Sequence, residues 1–296
     1  MTQLSRRRFM QLAGITLAGG YLDLSQFWLR RPAAPADVYG RALVAAPVYA
    51  QPHTKAPAIR RLWPDSMVSL HALNGDWYRT NHGYIQRRDI QPVALYPVSP
   101  ANMTPPFWAE VASPVAPVGQ WCAADAPLIT RIGHGGVAYV TDYLPADRQS
   151  GAWYGISDNA GQLLGWSQAV HWQPIPSTTT YAGHFALEIH QRRGQLRVLD
   201  GQRTVLQAPV STGRTLTPGH YSIRQQQPGA PPIEIAGQTL YAAPWQFSIG
   251  SLYTTSGVYW HNALGQSVPG PDAQFTALLA RCLYHSLADN AFVTIV

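Results

Sequence analysis

Three short segments of this chain occur twice, in the same order, and a repeat of that kind restricts the fold more than any single residue does. Ala42-Leu43-Val44-Ala45-Ala46-Pro47-Val48 is echoed by Ala109-Glu110-Val111-Ala112-Ser113-Pro114-Val115. Gly75-Asp76-Trp77-Tyr78 returns as Gly151-Ala152-Trp153-Tyr154, and Gly83-Tyr84-Ile85-Gln86 as Gly165-Trp166-Ser167-Gln168. Three matches in one order predict two copies of a single unit, the second lengthened around residues 145–150. Within each copy short apolar runs alternate with turns. Residues 66–73 run to Asn74-Gly75, whose glycine supplies the positive φ that a tight hairpin needs. With 25 Gly, 25 Pro, 10 Trp and 15 Tyr, the chain favours many short strands over long helices, so a mostly β fold is expected.

The length of 296 residues allows two or three small domains, and 46% hydrophobic residues suffice for their cores. The formal charge of +6 would suggest a nucleic-acid partner if it were spread over the chain. Instead Arg6, Arg7, Arg8, Arg30 and Arg31 precede residue 32, and residues 32–296 carry 16 bases against 14 acids. No basic stripe is left for phosphates, so no nucleic-acid partner is expected. Two cysteines, Cys122 and Cys282, are too few for a disulfide scaffold or a structural zinc site, and no metal or cofactor is expected. The pair fall in different domains, so a bridge between them is open but is not the default.

The N-terminus reads as an export signal: Ser5-Arg6-Arg7-Arg8-Phe9-Met10 precedes a weakly apolar run over 12–22, too short to span a bilayer comfortably. The paired arginines resemble a twin-arginine signal, which exports folded proteins. An extracytoplasmic location, in cell wall or periplasm, is expected for residues beyond 31. Cleavage of the leader and its retention as a membrane anchor are both open. A Pro/Ala-rich linker follows over 32–40.

The repeated unit, with its Gly-x-Trp-Tyr and Gly-Tyr/Trp steps, resembles a bacterial SH3-like barrel, over residues 41–93 and 107–175, with linkers at 94–106 and 176–183. Such modules often hold peptides or wall polymers in aromatic grooves, which makes Trp63, Tyr84, Trp153 and Trp166 binding candidates beside the commoner role of core aromatics. His134, in Gly133-His134-Gly135-Gly136, has no second ligand at metal spacing and no Lys-Ser/Thr after it, so a surface turn is expected there.

Past residue 183 the pattern becomes specific. A hairpin around Asp200-Gly201 leads to Pro209-Val210-Ser211-Thr212-Gly213, then Thr217-Pro218-Gly219-His220-Tyr221-Ser222-Ile223. Tyr259-Trp260-His261-Asn262 and Gly265-Gln266-Ser267 follow, with a helix expected over Asp272 to Leu287. In that order these segments resemble an L,D-transpeptidase catalytic domain of the YkuD type, over 184–296. The resemblance implies peptidoglycan or its stem peptides as partner, and a cysteine thiolate that forms a thioester with the stem before passing the acyl group on. Such a thiol needs an imidazole to take its proton and backbone N–H groups to hold the oxyanion.

The sequence departs from that family where the chemistry lies. Ser256 stands where the resemblance places a first histidine. After Ser267 the chain goes directly to Val268-Pro269-Gly270-Pro271-Asp272-Ala273, without the family's His-Gly-Cys block. Thr217-Pro218-Gly219 is one residue short of the usual spacing. Candidate catalytic residues are therefore His261, Ser267, Ser256 and Cys282, none of them assigned with a full set of partners. Phe275, Leu278, Leu279, Cys282 and Leu283 share one helical stripe, which predicts a buried thiol at 282 and an exposed His285 off the stripe. A Ser267–His261 pair lacks an orienting carboxylate, since Asp272 is expected to cap the helix. Tyr259, Trp260, His261 and Asn262, with Trp153 and Trp166, are the binding candidates. The expectation is an exported cell-envelope protein whose transpeptidase-like domain binds or organises peptidoglycan without catalysis, a pseudoenzyme. The alternative is an active transpeptidase or hydrolase using Ser267 or Cys282. Oligomeric state is not legible.

Overall fold

The computed structural model describes residues 38–95, 103–147, 151–176, 185–288 and 290–296. The leader expected over 1–31 lies outside them. The first unit has seven strands: β1 (Val38–Ala42), β2 (Ala46–Tyr49), β3 (Ala58–Leu62), β4 (Met67–Asn74), β5 (Trp77–Thr80), β6 (Gly83–Gln86) and β7 (Ile90–Ala94). They lie in the order β3-β2-β6-β5-β4-β1-β7. β1 opens at Val38, inside the stretch expected as linker, because Val38 and Tyr39 pair with Ala94 and Val93. The Asn74-Gly75 turn joins β4 to β5 with Gly75 at φ 58°, as its composition demands.

The second unit repeats this plan. Its strands are β8 (Phe107–Val111), β9 (Val115–Gly119), β10 (Leu128–Gly133), β11 (Val137–Leu144), β12 (Trp153–Ser157), β13 (Leu163–Gln168) and β14 (Trp172–Pro174), in the order β10-β9-β13-β12-β11-β8-β14. Two echoes hold in register: Trp77 faces Gln86 as Trp153 faces Gln168, and Tyr84 faces Tyr49 as Trp166 faces Gly119. The first echo is corrected by the pairing. Ala42 faces Ile90 where Val111 faces Trp172, and Pro47 faces Arg61 where Pro117 faces Arg131. Ala42 therefore matches Val111, and Pro47 matches Pro117, not Pro114. Pro-Val occurs at both 114–115 and 117–118, so sequence alone slides by three residues at the proline and by two at Ala42.

The third unit is a nine-stranded sheet with one helix. Its strands are β15 (Phe185–His190), β16 (Gln195–Asp200), β17 (Arg203–Pro209), β18 (Ser211–Thr212), β19 (Gly219–Gly229), the separate hairpin β20 (Ile233–Ile235) and β21 (Gln238–Leu240), β22 (Pro244–Ile249), β23 (Tyr253–Val258), β24 (Ala273–Thr276) and β25 (Phe292–Ile295). The sheet runs β17-β16-β15-β25-β19-β22-β23-β24-β18. The helix α1 (Ala277–Ser286) lies between β24 and β25. Leu279, Ala280, Cys282 and Leu283 of α1 share one core with Trp245, Phe247 and Phe275. The fold is thus mostly β with a helix near its C-terminus, as expected. Among the described residues no helix is long and apolar enough to cross a membrane.

The helix is shorter than its apolar spacing predicts. Residues 273–276 instead form a strand parallel to β23, and strand pairing there outweighs local helix periodicity. The cap is accordingly Thr276, whose Oγ1 accepts from the Leu279 amide at 3.1 Å. Asp272, expected in that role, takes Arg214 and the Thr254 amide, the latter at 2.8 Å. His285, expected exposed, is half-buried with its ring 5.0 Å from that of Trp245. Both cysteines are free thiols.

Candidate functional site

Parallel strands cannot be joined by a hairpin, so the chain between β23 and β24 must leave the sheet and return. That excursion, residues 259–272, carries every motif residue from Tyr259 to Ser267. Its first four side chains go to three places, since Tyr259 and Trp260 share the core of the second unit. Tyr259 is buried, and its hydroxyl donates to the Tyr241 carbonyl at 2.7 Å. Trp260 packs on the core of the second unit, edge-on to Tyr259 at 5.2 Å, with its indole N–H buried and unbonded. Asn262 is 5% exposed and donates to the carbonyls of Arg87 at 3.0 Å and Ile90 at 2.7 Å, both in the first unit. Arg87 returns a bond to the Leu264 carbonyl at 3.1 Å.

His261 stays within the third unit, and both its nitrogens are engaged. Nδ1 accepts from the Ala263 amide at 3.3 Å, which puts the ring proton on Nε2, and Nε2–H donates to Gln274 Oε1 at 2.6 Å. Gln274 is fully buried, and its amide nitrogen donates to the carbonyls of Val268 and Pro271, each at 3.0 Å. The imidazole and the loop that follows Ser267 are thus tied to one carboxamide. Burial lowers the pKa of His261, and the bond to Gln274 offsets part of that. The ring is a fixed neutral donor.

None of the other catalytic candidates reaches it. Ser267 is exposed, and its Oγ donates to the Thr212 carbonyl at 3.2 Å, beside the bridge between those two residues. Ser256 is 1% exposed, with its hydroxyl shared between the carbonyls of Pro244 at 3.1 Å and Gly257 at 2.8 Å. Cys282 sits in the core beside Phe275 and Leu279, where burial pushes its thiol up to about 12. At neutral pH such a thiol is protonated and is no nucleophile. Cys122 lies in the second unit, and burial with nearby Asp142 raises its pKa. Among the described residues no group of three or more His, Cys, Asp or Glu gathers as for a metal.

The binding candidates divide. Trp153 is buried, Tyr84 and Trp166 are half-buried, and Trp63 stands 68% exposed. A cleft between the second and third units is lined by Trp108, Tyr139, Pro232, Tyr241, Asp158 and Asn159 among others, and neither His261, Ser267 nor Ser256 borders it.

The region around Tyr259 is instead a three-way joint. Arg41, in β1, donates to the Tyr259 carbonyl at 2.6 Å, to Gln91 Oε1 at 2.9 Å and to Asp65 at 2.8 Å. Gln91 passes the chain of bonds to the His134 carbonyl at 2.8 Å. His134 lies in a turn, as expected, but half-buried in the joint and not at the surface: burial takes its pKa down to about 4, and Arg41 and Arg281 oppose its charge further. Its flanking glycines explain the loop. A side chain at Gly133 would collide with the Arg41 guanidinium and the Tyr259 ring, and one at Gly135, at φ 81°, would meet Ala277 at 2.6 Å. On the other side of the joint Arg281 of α1 pairs with buried Glu110 at 2.7 Å. A lone Arg within Tyr39-Gly40-Arg41-Ala42 and a lone Glu within Trp108-Ala109-Glu110-Val111 were the readable signals for this joint. Gln274 carried none.

No family model and no curated protein matches the sequence. Solved structures similar to it are L,D-transpeptidases. One from Mycobacterium smegmatis is 13% identical, covering 65% of this chain and 100% of that chain, with a TM-score of 0.35. One from Mycobacterium tuberculosis H37Rv is 14% identical over 70% of this chain and 90% of that chain, with a TM-score of 0.33. For one from Xylanimonas cellulosilytica the values are 14%, 42% and 64%, with a TM-score of 0.32, so this chain spans less than two thirds of it. Likeness at that level carries no chemistry to this chain, and its function is read from its own residues.

Proposed function

We propose that the protein is an exported cell-envelope protein whose third unit engages peptidoglycan or its stem peptides without turning them over. The observation that carries this reading is the state of His261. Its Nδ1 accepts a hydrogen bond from a backbone N–H and its Nε2–H donates to a buried glutamine, so neither nitrogen is placed to take a proton from a nucleophile. The chain's two thiols are elsewhere, one of them in the core. The motif order from Pro209 to Ser267 supplies the wall-directed part of the reading, and the leader-like residues 1–31 the exported part.

Intact-mass measurement after incubation with a carbapenem, and separately with muropeptides, tests the loss of catalysis. No adduct is expected. A stable adduct on Ser267 or Cys282 establishes the active enzyme instead. Co-sedimentation with purified sacculi tests the ligand: retention above that of an unrelated protein of the same charge is expected, and its absence removes the wall-binding reading.

A further inference from the structure

The first unit carries cations that no acid among the described residues neutralises. Residues 38–94 hold seven Arg and Lys against three acids. All three acids are engaged: Asp65 with Arg41 at 2.8 Å and Arg131 at 3.1 Å, Asp76 with Arg87 at 3.6 Å, and Asp89 with Arg88 at 3.7 Å. Lys55, Arg60, Arg61 and Arg79 are left exposed, with no ion pair among the described residues. They are not scattered. Arg60 and Arg61 lie in β3, an edge strand of the sheet, Lys55 is in the turn before it, and Ala58, Tyr49, Tyr84 and Arg79 form one row across β3, β2, β6 and β5.

Apolar side chains stand among them. Trp63 is 68% exposed and Ile59 56%, the latter lying against Gly83 beside Val48. Guarding a sheet edge does not require this composition. The second unit has the same edge at β10, with the same one-residue bulge, since Tyr49 and Val48 face Ala58 and Arg60 where Gly119 and Val118 face Leu128 and Thr130. The turns before the two strands match as well: Ala50 bonds to Pro57 as Gln120 bonds to Pro127. At the four cation positions the second unit carries Asp125, Thr130, Arg131 and Gly155, and Arg131 is already paired with Asp65. The scaffold does not need the charges.

We propose that this edge of the first unit, with Lys55, Ile59 and Arg60 along it and Arg61, Trp63 and Arg79 on its outer side, binds an anionic lipid surface. Charge complementarity fixes the sign of the partner, and the exposed Trp and Ile choose between partners. A soluble polyanion would leave both apolar side chains in water, whereas a headgroup layer takes the cations at its phosphates and the indole at its polar–apolar boundary. Each cation near such a surface contributes about 1 kcal/mol. The contact is separate from any anchor that the leader provides and does not depend on the wall-binding reading of the third unit.

The test is co-sedimentation of the full chain with vesicles of phosphatidylcholine alone and of phosphatidylcholine mixed with phosphatidylglycerol. Binding is expected only to the mixed vesicles and falls with added salt. Arg60→Gln with Arg61→Gln lowers the partition coefficient about 30-fold. Trp63→Ala lowers it about tenfold at every salt concentration, and Arg203→Gln on the third unit leaves it unchanged. Far-ultraviolet circular dichroism and the urea midpoint of each variant check that it folds as the parent does. Equal binding to both vesicle types, or binding untouched by the Arg60/Arg61 change, overturns the proposal. So does tight binding of soluble polyphosphate that is indifferent to Trp63→Ala and is not displaced by vesicles, which makes the partner a soluble polyanion.

Discussion

Arg41 in the first unit and Glu110 in the second occupy the same place in the same strand, facing Gln91 and Gln173. Both are buried, both would be costly alone, and both reach into the third unit, Arg41 to the Tyr259 carbonyl and Glu110 to Arg281. The charges are opposite, and so are the units around them: residues 107–174 hold two Arg against five acids. One topology thus presents two surfaces of opposite sign, and one strand position serves as the dock in each. A repeat fixes where a unit can be held. It does not fix what holds it.

Breaking the docks gives the largest expected effects. Arg281→Ala leaves Glu110 buried without its partner, and destabilisation of about 3–5 kcal/mol is expected by urea denaturation. Replacing both, as Glu110→Leu with Arg281→Met, recovers most of that, because the cost lies in the stranded charge. Equal losses in the single and double variants would mean that the pair itself, and not the uncompensated carboxylate, is what stabilises the second dock. Arg41→Ala instead removes the buried charge itself and leaves Asp65 with Arg131, so a smaller loss, about 1–3 kcal/mol, is expected at the first dock from its unpaired polar partners. If instead it is nearly silent, the two docks are equivalent in place only.

The pH dependence sharpens the comparison, since His134 sits between the docks. Its folded pKa, about 4, lies below the ordinary 6.5, so the folded state disfavours its protonation. The stability this confers is complete above pH 6.5 and is lost as pH falls toward 4, about 3 kcal/mol in all. Denaturant unfolding at steps from pH 7 to 4 reads the slope, and His134→Gln should remove its steepest part. A slope that persists in that variant assigns the effect to other groups.

Smaller effects follow at the excursion itself. Asn262→Ala removes two bonds to carbonyls of the first unit, with a loss of about 2 kcal/mol expected. Amide exchange in β7 should quicken with it while the second unit is unaffected. Smallest is a chemical contrast: Cys122, half-exposed, should react with a maleimide in the native protein, and Cys282, 3% exposed, only after unfolding. Native labelling of Cys282 would reopen the core to chemistry.

Much of the local plan was legible. Asn74-Gly75 and Asp200-Gly201 mark hairpins that form, and the Trp77/Trp153 and Tyr84/Trp166 echoes lie in register, because turn chemistry and strand alternation act over a few residues. The burial of Cys282 followed from its apolar stripe. The candidate site was legible only as a list. That Gln274 closes both His261 and the loop after Ser267 depends on β24 pairing parallel to β23, and no local signal encodes that pairing.

The sequence by itself determined a mostly β chain with a repeated unit and a motif-bearing third part that lacks a His-Gly-Cys block after Ser267. Tertiary structure alone decided that Tyr259 to Asn262 form a joint between three units. The glycines around His134 were needed for close approach to Arg41, Tyr259 and Ala277, and the shift of the first echo was settled only by strand pairing. The physical reason is the same throughout. Turns and periodicity are paid for within a few residues, while a buried charge or a packed glycine has meaning only through a partner far away in the chain.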